Sequence, residues 1–306
     1  MNMLTHQPRN KQQGLTLIEI LVAMAISLLL LAGVIQILAS SKASYRINEA
    51  QSRLQENGRF ALQMMTADIR AAGFWGCLGN NITQISNNLN NPLGNGVNPA
   101  LGGIAGTEGS AADSITLQGV IGNGFPVNAY AGNTITTIAN NGLAQDDFFL
   151  VGDCTRADLL QITNADPDSG TVTFDTGAGT PGNATGPTDA YSTNAMLYRV
   201  GSVTYTIANG NSGQPGLFRS VNGGAPMELV EGVENLQILY GEDTDSDGAT
   251  NSYGAADAVN MNSVVSVRIN LVLRSLSDNV ATTAGPVDRR LRRTFSSTIV
   301  LRNRVP

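Results

Sequence analysis

Residues 15–38 form a run of 24 that would read as a plain membrane helix but for one acid, Glu19. An ionised carboxylate near a bilayer's hydrocarbon costs about 2.5–3.5 kcal/mol at a helix centre on insertion scales, so it asks for a partner. The run would span about 36 Å at 1.5 Å per residue, against a hydrocarbon core of about 30 Å. It can therefore cross a membrane. It is too long for an ordinary secretory signal, whose apolar region is about 7 to 15 residues. Ahead of it, residues 1–14 carry His6, Arg9 and Lys11 but no acid. That balance favours retention of this end in the cytoplasm, which places everything after about residue 40 in the periplasm or outside.

That placement bears on the two cysteines, Cys77 and Cys154, which both fall beyond the membrane run. In an oxidising compartment they are expected to be joined. Closing so long a loop would stabilise the fold by about 4 to 5 kcal/mol on the chain-entropy model. Two cysteines with no nearby histidine cannot supply the four ligands of a closed zinc site, carboxylates aside. The formal net charge of −6 becomes −8 if residues 1–14 are removed, since Arg9 and Lys11 go and no acid does. A chain this acidic has no general attraction for nucleic acid, and direct nucleic-acid binding is not expected.

After the membrane run, Ile47, Ala50, Leu54, Ala61, Met65, Ile69 and Ala72 recur at spacings near three, four and seven, with Arg46, Glu49, Arg53, Glu56, Arg59 and Asp68 mostly elsewhere. This is the pattern of an amphipathic helix. Joined to the apolar half it predicts one long helix ending near Gly73, with Gly58 a weak point inside it. From Cys77 to Asp113 the chain is rich in Asn and Gly, including Asn80, Asn91 and Asn95, and reads as loop. Short β-type segments follow at 114–120, 147–151, 159–162, 171–174, 195–207 and 217–220, parted by Gly, Asn and Pro clusters. Residues 177–188 read as an exposed loop. Near the end, Val265, Val267, Ile269, Leu271 and Leu273 alternate with polar residues, which marks a half-buried antiparallel strand. With 233–240 and 294–301 it makes a three-stranded sheet for the helix to pack on. Arg289, Arg290, Arg292 and Arg293 read first as solvated charge near a strand end, and second as a contact for an acidic neighbour or for DNA.

The stretch Lys11-Gln-Gln-Gly14-Leu15-Thr16-Leu17-Ile18-Glu19 resembles the processing site of type IV prepilins. The segments 52–61 and 68–77, together with 149–162, 232–241 and 298–303, resemble the PilW family of minor pilins in particular. The resemblance implies an α+β, type IV pilin-like fold: a leader at 1–14, an N-terminal helix at 15–73 (15–38 membrane and filament core, 39–73 amphipathic) packed on an antiparallel β-sheet with long loops, and a β-rich periplasmic or extracellular domain at 74–306. It implies cleavage by prepilin peptidase after Gly14, methylation of Leu15, and a pairing of Glu19 with the terminal amine of an adjacent subunit. Ammonium and carboxylate would each lower the other's burial cost in an apolar bundle. The implied role is a non-enzymatic subunit of the assembly-priming and tip complex, supporting twitching, adhesion or DNA uptake. Its implied partners are other minor pilins (PilV-, PilX-, PilE- and FimU-like), the major pilin, the inner-membrane assembly platform and a large tip adhesin. A type II secretion pseudopilin of the GspJ kind and a membrane-tethered adhesin or ligand-binding module are the alternative readings.

A second candidate site is Asp243-Thr-Asp245-Ser-Asp247-Gly248, whose alternating oxygen ligands and sixth-position glycine suit calcium. The pattern departs from the EF-hand at its twelfth position, Gly254, and no flanking helices are evident; Asp257 is a candidate late carboxylate. A solvated Asp-rich turn is the other reading, and no cofactor is required by either. Catalytic residues are not expected. The sole histidine, His6, lies in the leader, so Ser-His or Cys-His activation is lost with it.

Overall fold

The computed structural model describes residues 16–79, 81–90, 97–99, 102–187, 190–281 and 288–305. The leader with the cleavage pair Gly14 and Leu15, and Asn80, Asn91 and Asn95, lie outside the described residues. The chain divides into two compact units, Met1–Ala50 and Gln51–Pro306.

Helix α1 runs over Leu17–Ala71. In the first unit its large apolar side chains, from Leu17 through Leu28 to Leu38, are all exposed. In the second unit Leu54, Gly58, Ala61, Met65 and Ile69 form a single buried stripe, the three-and-four spacing of one helix face. The helix stops two residues before the expected Gly73, which adopts a φ of +74° open to glycine without strain. There the Asn303 side chain donates to the carbonyls of Arg70, Ala71 and Ala72 at 3.4, 3.3 and 3.1 Å, taking up acceptors that a helix end leaves open.

Strands follow in chain order: β1 (Ile85–Asn87), β2 (Ile104–Thr107), β3 (Ser114–Pro126), β4 (Ala129–Ala131), β5 (Thr134–Thr136), β6 (Phe148–Gly152), β7 (Ala157–Gln161) and β8 (Thr171–Thr173). Then come β9 (Met196–Asn209), β10 (Pro215–Val221), β11 (Met227–Glu231), β12 (Val233–Glu242), β13 (Ser252–Gly254), β14 (Val264–Arg274) and β15 (Arg292–Val300). The eight-stranded sheet is centred on β9, with β6 and β10 along one edge and β3 along the other. Only β1, beside β7, runs parallel to its neighbour there. A second sheet has the order β13-β12-β14-β15, all antiparallel. It has four strands where three were expected, because three-residue β13 is too short to show alternation. A third sheet joins β4, β5 and β8.

The loop expected over 77–113 contains β1 and β2, and its asparagines are partly structural. Asn88 is buried and donates to Asp158 at 2.6 Å. Within 177–188, expected to be exposed, Asn183 is fully buried. Its side-chain amide accepts from the Gln161 N–H at 2.7 Å and donates to the Gln161 carbonyl at 2.8 Å, imitating a neighbouring strand. At these two positions the asparagine satisfies buried polar groups, the Asp158 carboxylate and the Gln161 main chain, rather than solvent.

One core joins the stripe of α1 to residues of both larger sheets, including Leu117, Tyr205 and Leu217 from one and Leu236, Ile269 and Ile299 from the other. Asp113 ties these sheets together: its N–H donates to the Leu236 carbonyl and its carboxylate accepts from the Ile238 N–H, both at 2.8 Å. Gly58 is no weak point, since a Cβ there would run into the ring of Phe295 on β15. Gly58→Ala should therefore destabilise the domain by about 1–3 kcal/mol through overpacking, despite the better helix propensity of alanine. Thermal unfolding of Gly58→Ala alone and with Phe295→Leu checks this, the second change restoring most of the loss.

Candidate functional site

Glu19 sits in the third position of α1, and its surroundings follow from the local sequence Thr16-Leu-Ile-Glu19. The Thr16 N–H and hydroxyl donate to the Glu19 carboxylate at 3.1 and 3.0 Å, and the Glu19 N–H donates back to the Thr16 hydroxyl at 3.3 Å. This is a reciprocal capping box. The sequence reading missed it, although threonine followed three residues later by glutamate before an apolar run is its signature. The carboxylate thus has a partner within its own chain. The helix behind it is long and apolar enough to cross a membrane, and no part of that window is buried within the chain.

Further along, α1 is anchored by charge as well as by its apolar stripe. The Asp68 carboxylate accepts from the Tyr205 hydroxyl at 2.7 Å and from Arg219 Nε at 3.0 Å. Burial, and then the bond to Asp68, hold the Tyr205 phenol well above its usual range, so it stays a donor. Just past the helix, Cys77 and Cys154 are bonded to each other, fastening the end of α1 to the turn between β6 and β7.

Of the four arginines expected to be solvated, Arg290 and Arg292 are instead held by partners, and Glu234 reaches Arg292 from far away in sequence. Arg292 forks onto Glu234 through Nε and Nη2 at 2.7 and 3.0 Å, and onto Asp288 through Nη1 and Nη2 at 3.0 and 2.8 Å. Arg290 donates to the carbonyls of Ser275 and Leu276. Arg289 and Arg293 alone of the four are exposed. The hydrogen bond from Arg292 holds Glu234 below the usual carboxylate range and lowers Asp288 to about 2. A depressed folded-state pKa stabilises above the unfolded value and loses that contribution as pH falls through the folded one. The thermal-stability gap between the parent and Arg292→Ala should therefore be full at pH 5 and shrink between about pH 4 and 2, as melting curves across that range will show.

Asp243, Asp245 and Asp247 do come together, with ligand oxygens within 4.8 Å of one another. The turn closes on its own bonds: Asp243 accepts from the N–H groups of Asp245, Ser246 and Gly248 at 3.2, 2.7 and 2.8 Å. Gly254, at the twelfth position, lies in β13 opposite Tyr240, and Asp257 is exposed in the turn beyond. Without a bidentate closing ligand, calcium should bind no tighter than about 10⁻⁴ M, the range of weak extracellular sites. Calorimetric titration of the protein with calcium measures this.

Residues 204–303 match the family model described as type IV pilus-assembly protein W, and residues 9–35 match the prokaryotic N-terminal methylation motif. The pilin-like protein PilA3 of Thermus thermophilus is 41% identical over 66 residues, 21% of this chain and 28% of that relative. The aligned part therefore spans little more than a quarter of it. A type IV-like pilin structure from Thermus thermophilus superposes with a TM-score of 0.37 at 12% identity, covering 83% of this chain and 98% of the other.

Proposed function

We propose that the chain is a type IV pilin-like protein of the PilW family and serves as a minor pilin in the complex that primes and tips the pilus fibre, a reading supported by the family-model and methylation-motif matches. The observation that carries the reading is the uncovered apolar half of α1 directly behind a methylation motif. An apolar helix that its own chain leaves bare needs a bilayer first and the filament interior afterwards. In this proposal prepilin peptidase cuts after Gly14 and Leu15 is methylated. The protein waits in the inner membrane with its β-rich domain outside, then joins other minor pilins above the major pilin through the assembly platform. A large adhesin is its neighbour at the tip. The role is structural, not enzymatic, and through the fibre it supports twitching, adhesion or DNA uptake.

Glu19 has two partners in turn under this proposal. In the membrane its carboxylate is held by Thr16. During assembly the terminal amine of an adjacent subunit takes it over, because an ammonium offsets a carboxylate's burial more strongly than neutral donors do.

Mass analysis of the mature N-terminal peptide, from membrane and sheared-fibre fractions of the native host, tests the proposal. N-methylated Leu15 is expected in both fractions. An intact Met1 terminus, or a cut after residue 38, would overturn it.

A further inference from the structure

Strand β15 ends the four-stranded sheet and pairs on one side only, with β14, in a register unbroken from Arg292 to Val300. The Leu301 N–H donates to the Val265 carbonyl at 2.9 Å. Antiparallel alternation then turns the main-chain groups of Thr294, Ser296, Thr298 and Val300 away from β14. No main-chain bond reaches those groups among the described residues, and all four residues are exposed. Natural sheets guard such edges with brevity, charge, proline or bulges. The other terminal strands obey: β1, β4, β8 and β13 have three residues each, β2 has four, and β11 carries Glu228 and Glu231. From Thr294 to Val300 there is no charge, proline, glycine or register shift.

The charges at its two ends identify what fits. Arg293 at the start of β15 and Arg302 just beyond its end are exposed. A second copy pairing antiparallel would bring Arg293 of each chain toward Arg302 of the other, and parallel pairing would set each arginine against its twin. Like charges facing one another across a ladder are unfavourable. We infer that the outer edge of β15 is a docking site for an extended segment of a different protein chain, apolar or β-branched at its centre and acidic at both ends, which adds as a fifth strand. Main-chain pairing supplies the affinity and the arginines select the partner. The surface is read from main-chain geometry and charge, and does not depend on how the N-terminus is processed.

The test uses the full chain in detergent and a synthetic peptide, Asp-Glu-Thr-Val-Thr-Val-Thr-Glu-Asp, with amide exchange read at the outward N–H groups of Thr294, Ser296, Thr298 and Val300. Exchange should be fast in the protein alone and slow markedly with the peptide, while a version with lysines at both ends binds about tenfold more weakly. Ser296→Pro removes one outward N–H and leaves the β14 ladder whole, so it should abolish protection without changing thermal unfolding. Arg293→Glu combined with Arg302→Glu should reverse the preference between the two peptides, which keeps the test intact if the proline variant does not fold. Slow exchange in the protein alone would overturn the inference. So would protection that rises with protein concentration, which means self-pairing, equal binding of the two peptides, no protection by the acidic peptide, or protection that survives in folded Ser296→Pro.

Discussion

The fold depends on one stripe of α1, Ala61, Met65 and Ile69, each fully buried in a core that draws on both larger sheets. Burying a methionine or isoleucine contributes about 1.5–3 kcal/mol, and here the same side chains are the common wall for two sheets. Without that wall Leu117 and Tyr205 on one side, and Ile269 and Ile299 on the other, would face water. Asp68 adds direction to this burial. Its bonds to Tyr205 and Arg219 fix the helix in rotation and in height, which apolar contact by itself specifies loosely.

The same helix presents the opposite character over its first half, where every large apolar side chain is bare. A helix apolar on all sides belongs in lipid or in a bundle of its own kind. The acid at its start is tolerated because it caps rather than floats: the Glu19 carboxylate accepts from the Thr16 N–H and hydroxyl, while the Thr16 hydroxyl accepts from the Glu19 N–H, so two main-chain donors that a helix start leaves open are satisfied. That arrangement is compatible with membrane insertion and leaves the carboxylate able to exchange one partner for another.

Much of this was legible in the chain itself. The amphipathic stripe, the long strands β9, β12, β14 and β15, and the joining of Cys77 to Cys154 follow from periodicity and from compartment. What escaped the reading shares a cause. Strand β3 continues past the expected end to Pro126 through a register shift between Val120 and Gly124, and a bulge breaks the alternation that announces a strand. Three-residue strands such as β4, β5 and β13 carry too few positions for any period. Asn88 and Asn183 look like loop residues because their partners, Asp158 and Gln161, lie far away in sequence.

The sequence by itself determined the local physics: a membrane-competent helix with its cap, an amphipathic continuation, alternating strands and a cysteine pair. The helix, its cap and the strands arise among residues within a few positions of one another, whereas the cysteine pair, 77 residues apart, follows from the compartment. Tertiary structure alone decided that Gly58 must stay small beneath Phe295, that Arg292 is clamped by Glu234 and Asp288, and that β15 rather than β14 is left at the sheet's edge. Those outcomes depend on which distant segments pair, and pairing is settled by the shared burial of many residues at once rather than by any local pattern.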